Sequence, residues 1–214
     1  MTEEIINWEN TLLPSITNLI DEIANELKPE DVFYDIGANT GLLSLKIMEK
    51  CPNVTYYLFE PVSKYYDACI EKFDKHVNVI VFNYAVMHRT EEMHISMDGG
   101  NKGYNTLSFI RDYGEKEKIQ AKTLYDIGSS NLMPFADVIK IDVEQAESFT
   151  IAGMKEYFKR GKSPRKIFME VGVVKNHPLW EKEVEMFEYL FSIGYKRFDY
   201  NFTCTTDVVF ELEK

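Results

Sequence analysis

Four apolar runs in this chain stop at a carboxylate. "VFYDIGANTG" carries Asp35, "VTYYLFEP" carries Glu60, "ADVIKIDVE" carries Asp142 and Glu144, and "IFMEVG" carries Glu170. If each run is a strand of one parallel sheet, the strand ends share an edge. The acids then converge on the crevice where open α/β sheets take their ligands. A single acid at a strand end need only cap a helix or accept from loop amides. Four along one edge make a binding site the better reading.

The elements that must position these acids follow from hydrophobic spacing. Leu12, Ile16, Leu19, Ile20, Ile23 and Leu27 recur at three- and four-residue steps, which predicts a helix over 8–27 stopped by Pro29. Strands are predicted over 32–36, 54–61, 77–86, 136–144 and 165–172, with helices over 41–50, 63–73, 146–161 and 178–193. Residues 117–127 read as an exposed strand leading into a short helix, and 98–107, "DGGNKGYNTL", as a loop. Segments 195–201 and 205–213 read as a closing hairpin. Alternating strands and helices predict an α/β, Rossmann-like, doubly wound sheet. It is mostly parallel and seven-stranded, with an antiparallel C-terminal edge hairpin. No repeat or linker divides the 214 residues, so one domain is expected: an N-terminal helical extension (1–29), a ligand-binding core (30–175) and a C-terminal helix and hairpin (176–214).

Composition narrows the partners. The formal net charge is −11, which disfavours long nucleic acids and anionic membrane surfaces. Cys51, Cys69 and Cys204 are too few and too scattered for a disulfide framework or a metal knuckle. The acidic start "MTEEIINWEN" lacks a secretion signal, and no apolar run reaches the ~20 residues that span a bilayer. A soluble, cytoplasmic protein is expected.

The first loop discriminates among ligands. A dinucleotide site has G-x-G-x-x-G; here the glycines are Gly37 and Gly41, spaced G-x-x-x-G and preceded by Asp35. A carboxylate repels a pyrophosphate and attracts a sulfonium or ammonium. Glu60 suits the paired hydroxyls of a ribose, and the helix start near Asn39 to Gly41 suits a ligand carboxylate. A cation that carries an ammonium, a ribose and a carboxylate is S-adenosylmethionine.

These residues resemble a known family. "VFYDIGANTG" is similar to motif I of class I S-adenosylmethionine-dependent methyltransferases, and "LFEP" to their ribose-binding motif. "IKIDVEQAE" followed by "AG" resembles the I-D-V-E-G-A-E signature of FkbM-type methyltransferases, with Gln145 where that signature has glycine. "TLYDI" resembles the family's T-L-D-x-L segment, with Tyr125 at its first acid. The resemblance spans about residues 30–175 and implies O-methylation of a small hydroxylated compound or a sugar.

By that resemblance Asp35, Gly37, Ala38, Asn39 and Gly41 line the methionine end of the cofactor. Glu60 and Pro61 hold its ribose, and Asn83 to Val86, Ala85 included, approach the adenine. Asp142 and Glu144 stand where family members place catalytic or acceptor-binding groups, Asp142 also beside the cofactor. A hydroxyl acceptor needs a base or a metal. The acids Asp142, Glu144 and Glu170 suit either a carboxyl with raised pKa or a bound divalent cation such as Mg²⁺. His88 and His177 are alternative bases because their loops leave the carboxyl edge. Glu147, Glu170, Tyr104 and Asn105 are expected to contact the acceptor, the last two from a glycine-rich loop that acts either as a lid or as an ordinary connection.

Two other functions fit parts of the sequence. Lys46, Asp142, Lys166 and Glu170 resemble, loosely, the lysine–acid tetrad of RNA ribose 2'-O-methyltransferases. A non-catalytic cofactor-binding or scaffold domain would share the fold.

Overall fold

A computed structural model describes residues 14–97, 105–161 and 163–213. The chain begins with α1 (Pro14–Glu26) and enters β1 (Val32–Ile36), α2 (Leu42–Lys50), β2 (Thr55–Phe59), α3 (Ser63–Phe73) and β3 (Val79–Phe82). There follow β4 (Ala85–Val86), β5 (Glu91–Met97), β6 (Thr106–Leu107), β7 (Glu115–Lys122) and α4 (Leu124–Asn131). The last elements are β8 (Val138–Ile141), α5 (Glu147–Arg160), β9 (Lys166–Val171), α6 (Trp180–Ser192) and β10 (Thr206–Glu211).

Among the described residues the main sheet has six strands in the order β10-β9-β8-β1-β2-β3. Five run parallel and β10 pairs antiparallel with β9. Successive side chains alternate between its two faces. Phe33, Tyr56, Leu58, Val138 and Phe168 pack on one face against Ile20, Ile23, Ile47, Cys69 and Phe73 from α1, α2 and α3. Tyr34, Ile36, Phe59, Ile139, Ile141, Ile167 and Met169 pack on the other against α4, α5 and α6. Both faces are covered, which is why the central strands read as unbroken apolar runs.

Two expectations change. The seventh strand does not form: residues 195–201 make only an isolated bridge, Tyr195 to Leu212. Their alternating aromatics are used for packing instead, with Tyr200 stacked on Phe187 at 4.9 Å and Phe198 edge-on to Phe191 at 5.4 Å. The strand expected over 77–86 breaks at Asn83. Its end, β4, leaves the main sheet and joins a second sheet ordered β4-β7-β5-β6. That small sheet contributes Met93, Ile95, Met97, Leu107, Ile119 and Ala121 to a separate apolar cluster with Val62, Tyr65, Met87 and Ala146. Among the described residues no helix is long and apolar enough to cross a membrane. The cysteines are free, Cys69 buried and Cys204 exposed.

Candidate functional site

The carboxyl ends of β1, β2 and β8 open onto a cleft whose empty space, with the part open to solvent, is about 710 Å³. Gly37, Asn39, Glu60, Pro61, Tyr84 and Ala85 line one part of it, and Asn105, Thr106, Asp142 and Glu144 another. The turn after β1 needs glycine: Gly37 has φ +83°, and a Cβ there would lie 1.8 Å from the Asp142 carbonyl oxygen. This close approach joins the first turn to the segment after β8. Gly41, at φ +74°, is closed in by Phe73, whose ring would be 2.6 Å from a Cβ. Gly41 thus seats α2 rather than walling the cleft, and Ala38 is buried in the apolar layer beside it.

Glu60 is 5% exposed. Its Oε2 accepts from the Asn39 N–H at 2.8 Å and its Oε1 from the Val62 N–H at 2.9 Å. Each oxygen therefore keeps acceptor capacity for a diol. Burial pushes its pKa up to about 7, against the pull of those two backbone bonds. A partly unsatisfied buried carboxyl facing empty volume suits a ligand that supplies donors. Asn83 was expected near the adenine. Its Nδ2 instead donates to the carbonyls of Glu60 and Pro61 at 2.9 and 3.0 Å, so it clamps the turn from behind.

Asp35 does not reach the cleft. It is fully buried, and the β1–β8 register sets it directly opposite Lys140. The Lys140 ammonium, 4% exposed as a residue, lies 3.0 Å from Asp35 Oδ1 and 3.5 Å from Asp142 Oδ2, and donates to the Gly37 carbonyl at 2.8 Å. Ser44 Oγ donates to Asp35 Oδ2 at 2.7 Å. Burial works against the ammonium charge, but the two carboxylates outweigh it and hold the pKa of Lys140 above its ordinary range. Asp35 thus anchors a fixed cation beneath the site, a role the sequence reading missed because it did not pair the two strands. The Asp–Lys register across β1 and β8 was the available signal.

The remaining acids divide. Glu144 faces the cleft, and its pKa is pushed up to about 8 by burial, by Asp142 and by Glu170. Glu170 lines a neighbouring cavity with Glu22, Lys140, Asp142 and Asp207, and burial, then Asp142 and Asp207, raise its pKa. Among the described residues no group of three His, Cys, Asp or Glu side chains could hold a metal ion. The Mg²⁺ alternative at Asp142, Glu144 and Glu170 thus finds no such cluster, and the Lys140 ammonium stands 3.5 Å from Asp142 Oδ2. Glu147 is 1% exposed and bonds to Gln145 rather than facing the cleft.

Neither candidate histidine lines the cleft. His177 Nδ1 accepts from the Leu179 N–H at 3.2 Å, at the entry to α6. His88 sits against Phe149 with ring centroids 5.4 Å apart, and burial followed by Arg89 lowers its pKa. Tyr104 lies outside the described residues. Asn105 is buried on the cleft wall, its Nδ2 3.4 Å from the Tyr65 hydroxyl. The sequence reading also missed Ile95, Thr106 and Leu107, which the second sheet brings over the cleft.

Known proteins place this arrangement. A family model for the methyltransferase FkbM domain matches residues 35–197. A 31-O-demethyl-FK506 methyltransferase from Streptomyces tacrolimicus is 26% identical over 162 residues, covering 61% of this chain and 62% of that protein. The chain thus spans under two thirds of that relative's length. In fold it is similar to the precorrin-6y C5,15-methyltransferase of Geobacter metallireducens, with TM-score 0.52, 13% identity and coverage of 92% and 88% of the two chains. It is similar likewise to the fibrillarin pre-rRNA processing protein of Methanococcus jannaschii, with TM-score 0.52, 14% identity and coverage of 88% and 69%.

Proposed function

This chain belongs to the FkbM methyltransferase family, and from that premise we propose that it transfers a methyl group from S-adenosylmethionine to a hydroxyl of a small molecule or sugar. The observation that carries the reading is one cleft joining the Gly37–Asn39 turn, the half-satisfied Glu60 carboxyl and the high-pKa Glu144 carboxyl. A relative named for an O-demethyl acceptor supports an oxygen as the methylated atom.

S-adenosylmethionine supplies a methyl group already activated on a sulfonium, so the chain's part is to orient the acceptor and manage its proton. Glu60 would accept from the ribose hydroxyls, and Gly37, Asn39, Pro61 and Ala85 would form the wall around them. Glu144 takes the proton of the acceptor hydroxyl. A carboxyl with a pKa near the working pH is a competent general base, whereas an ordinary one is too weak. Apolar Ile95, Val86 and Leu107 on the cleft wall limit access of water to the reacting atoms.

The lysine–acid tetrad that suggested RNA ribose methylation is not assembled, while a fold neighbour named for pre-rRNA processing keeps RNA among the acceptors to test. Lys46 pairs with Glu49 at 2.7 Å on an exposed helix face, and Lys166 pairs with Glu26 at 2.6 Å, so the four tetrad residues do not gather at the cleft. The test combines calorimetry with transfer of labelled methyl groups. Micromolar binding of the cofactor and label on a hydroxylated small molecule, but not on RNA, are expected. No cofactor binding, or label on RNA alone, sinks the reading.

A further inference from the structure

Two consecutive residues, Glu144 and Gln145, have left-handed backbone, φ 51° and 73°. Neither is glycine, and each such residue costs about 1–2 kcal/mol relative to a right-handed conformation. Surrounding structure must therefore hold the pair. Two attachments do so. The Thr106 hydroxyl, from β6, donates to the Glu144 carbonyl at 2.5 Å. The Gln145 N–H donates to Glu147 Oε1 at 3.0 Å. Glu147 is the first residue of α5, so its carboxyl group sits at the N-terminus of that helix. Its second oxygen, Oε2, is buried with no hydrogen-bond partner among the described residues.

The geometry points to Glu147 as a positioning residue, locking the Glu144–Gln145 backbone so that the Glu144 carboxyl faces the cleft. This rests on the role given to Glu144 above. Glu147 touches neither the cleft wall nor the reacting atoms; it acts through the Gln145 amide. The Gln145 side chain meanwhile lies over β9's end, where its Cγ would be 3.0 Å from a Cβ on Gly172. The turn is thus pinned from both sides: Thr106 holds the Glu144 carbonyl and Glu147 holds the Gln145 amide.

The test uses Glu147→Ala and Glu147→Gln in the full chain. Glutamine keeps an oxygen that accepts from the Gln145 N–H, so it is the rescuing variant. Hydrogen exchange at the Gln145 amide reads the lock without any methyl acceptor: at least about tenfold faster exchange is expected for alanine and near-wild-type protection for glutamine. With an acceptor that the wild type methylates, kcat of the alanine variant should fall about 10- to 100-fold with KM for both substrates unchanged, as for a displaced catalytic group, and glutamine should restore it. Should the alanine variant fail to fold, Glu147→Asp, shorter by one methylene, takes its place with the same expectations. Unchanged exchange in the alanine or aspartate variant overturns the inference, as does a glutamine variant as slow as either. If the wild type methylates nothing, the proposed function fails and the exchange experiment still decides the lock.

Discussion

Gln145 shows how one side chain can depart from a family signature and keep the backbone it needs. Glycine adopts φ 73° freely, whereas glutamine does not. The hydrogen bond to Glu147 and packing over Gly172 offset the strain. Gln145→Gly should therefore raise stability by about 1 kcal/mol, an increase of roughly 2–4 °C in melting temperature, measured by calorimetry. A lower melting temperature would mean that the side-chain packing outweighs the strain. His177 gives the contrasting case. Its ring nitrogen satisfies the Leu179 amide at the start of α6. His177→Ala is expected to lose about 1 kcal/mol of stability and to leave kcat within about twofold, since it removes a hydrogen bond and not a base. A large drop in kcat at unchanged melting temperature would return His177 to the mechanism.

At the level of elements, the site is a junction between two sheets. The main sheet brings the β1, β2 and β8 ends together by parallel register. The second sheet, entered when the chain leaves β3 at Asn83, places Ile95 and Thr106 opposite them. Contact between the β1 turn and the residue after β8 is backbone to backbone at Gly37. Gly37→Ala would drive a methyl group into the Asp142 carbonyl, at 1.8 Å before any relaxation. The turn must then move, carrying Asn39 away from Glu60. The variant should lose cofactor affinity by more than about tenfold, with at least 2 kcal/mol of lost stability. Titration calorimetry and denaturant unfolding check the two parts separately; wild-type affinity would show that the junction is not needed.

Across the whole molecule, buried carboxyls dominate the electrostatics. Burial raises the pKa of Glu60 to about 7 and of Glu144 to about 8. Burial, then Glu183, raises Glu147, and burial likewise raises Glu183. The ordinary value is 4.5, so between that and about 8 the native state holds protons that the unfolded chain has released. Stability must then fall as pH rises through this window. A melting temperature several degrees higher at pH 5.5 than at pH 8.5 is expected, with Glu183→Gln reducing the difference. A curve flat across that range would mean that these groups are ionised in the folded protein. The proposed base titrates in the opposite sense: activity should increase with pH towards 8, as Glu144 loses its proton.

The hydrophobic periodicity of the sequence determined the central strands and the helices that cover them, because a sheet buried on both faces requires unbroken apolar runs and a helix requires a stripe. The Gly37 turn after β1, with Glu60 at the next strand end, likewise pointed to the sheet edge where the cleft opens, and the motif resemblance pointed to the family that the chain belongs to. Pairing across distant segments was decided only in three dimensions. The β1–β8 register gave Asp35 to Lys140, the Asn83 amide went to the turn carbonyls, and the 195–201 aromatics went to α6 instead of a seventh strand. A linear pattern records how polar or apolar each position is. Which buried charge meets which depends on strand register and chain crossing, and those are settled by packing between residues more than a hundred positions apart.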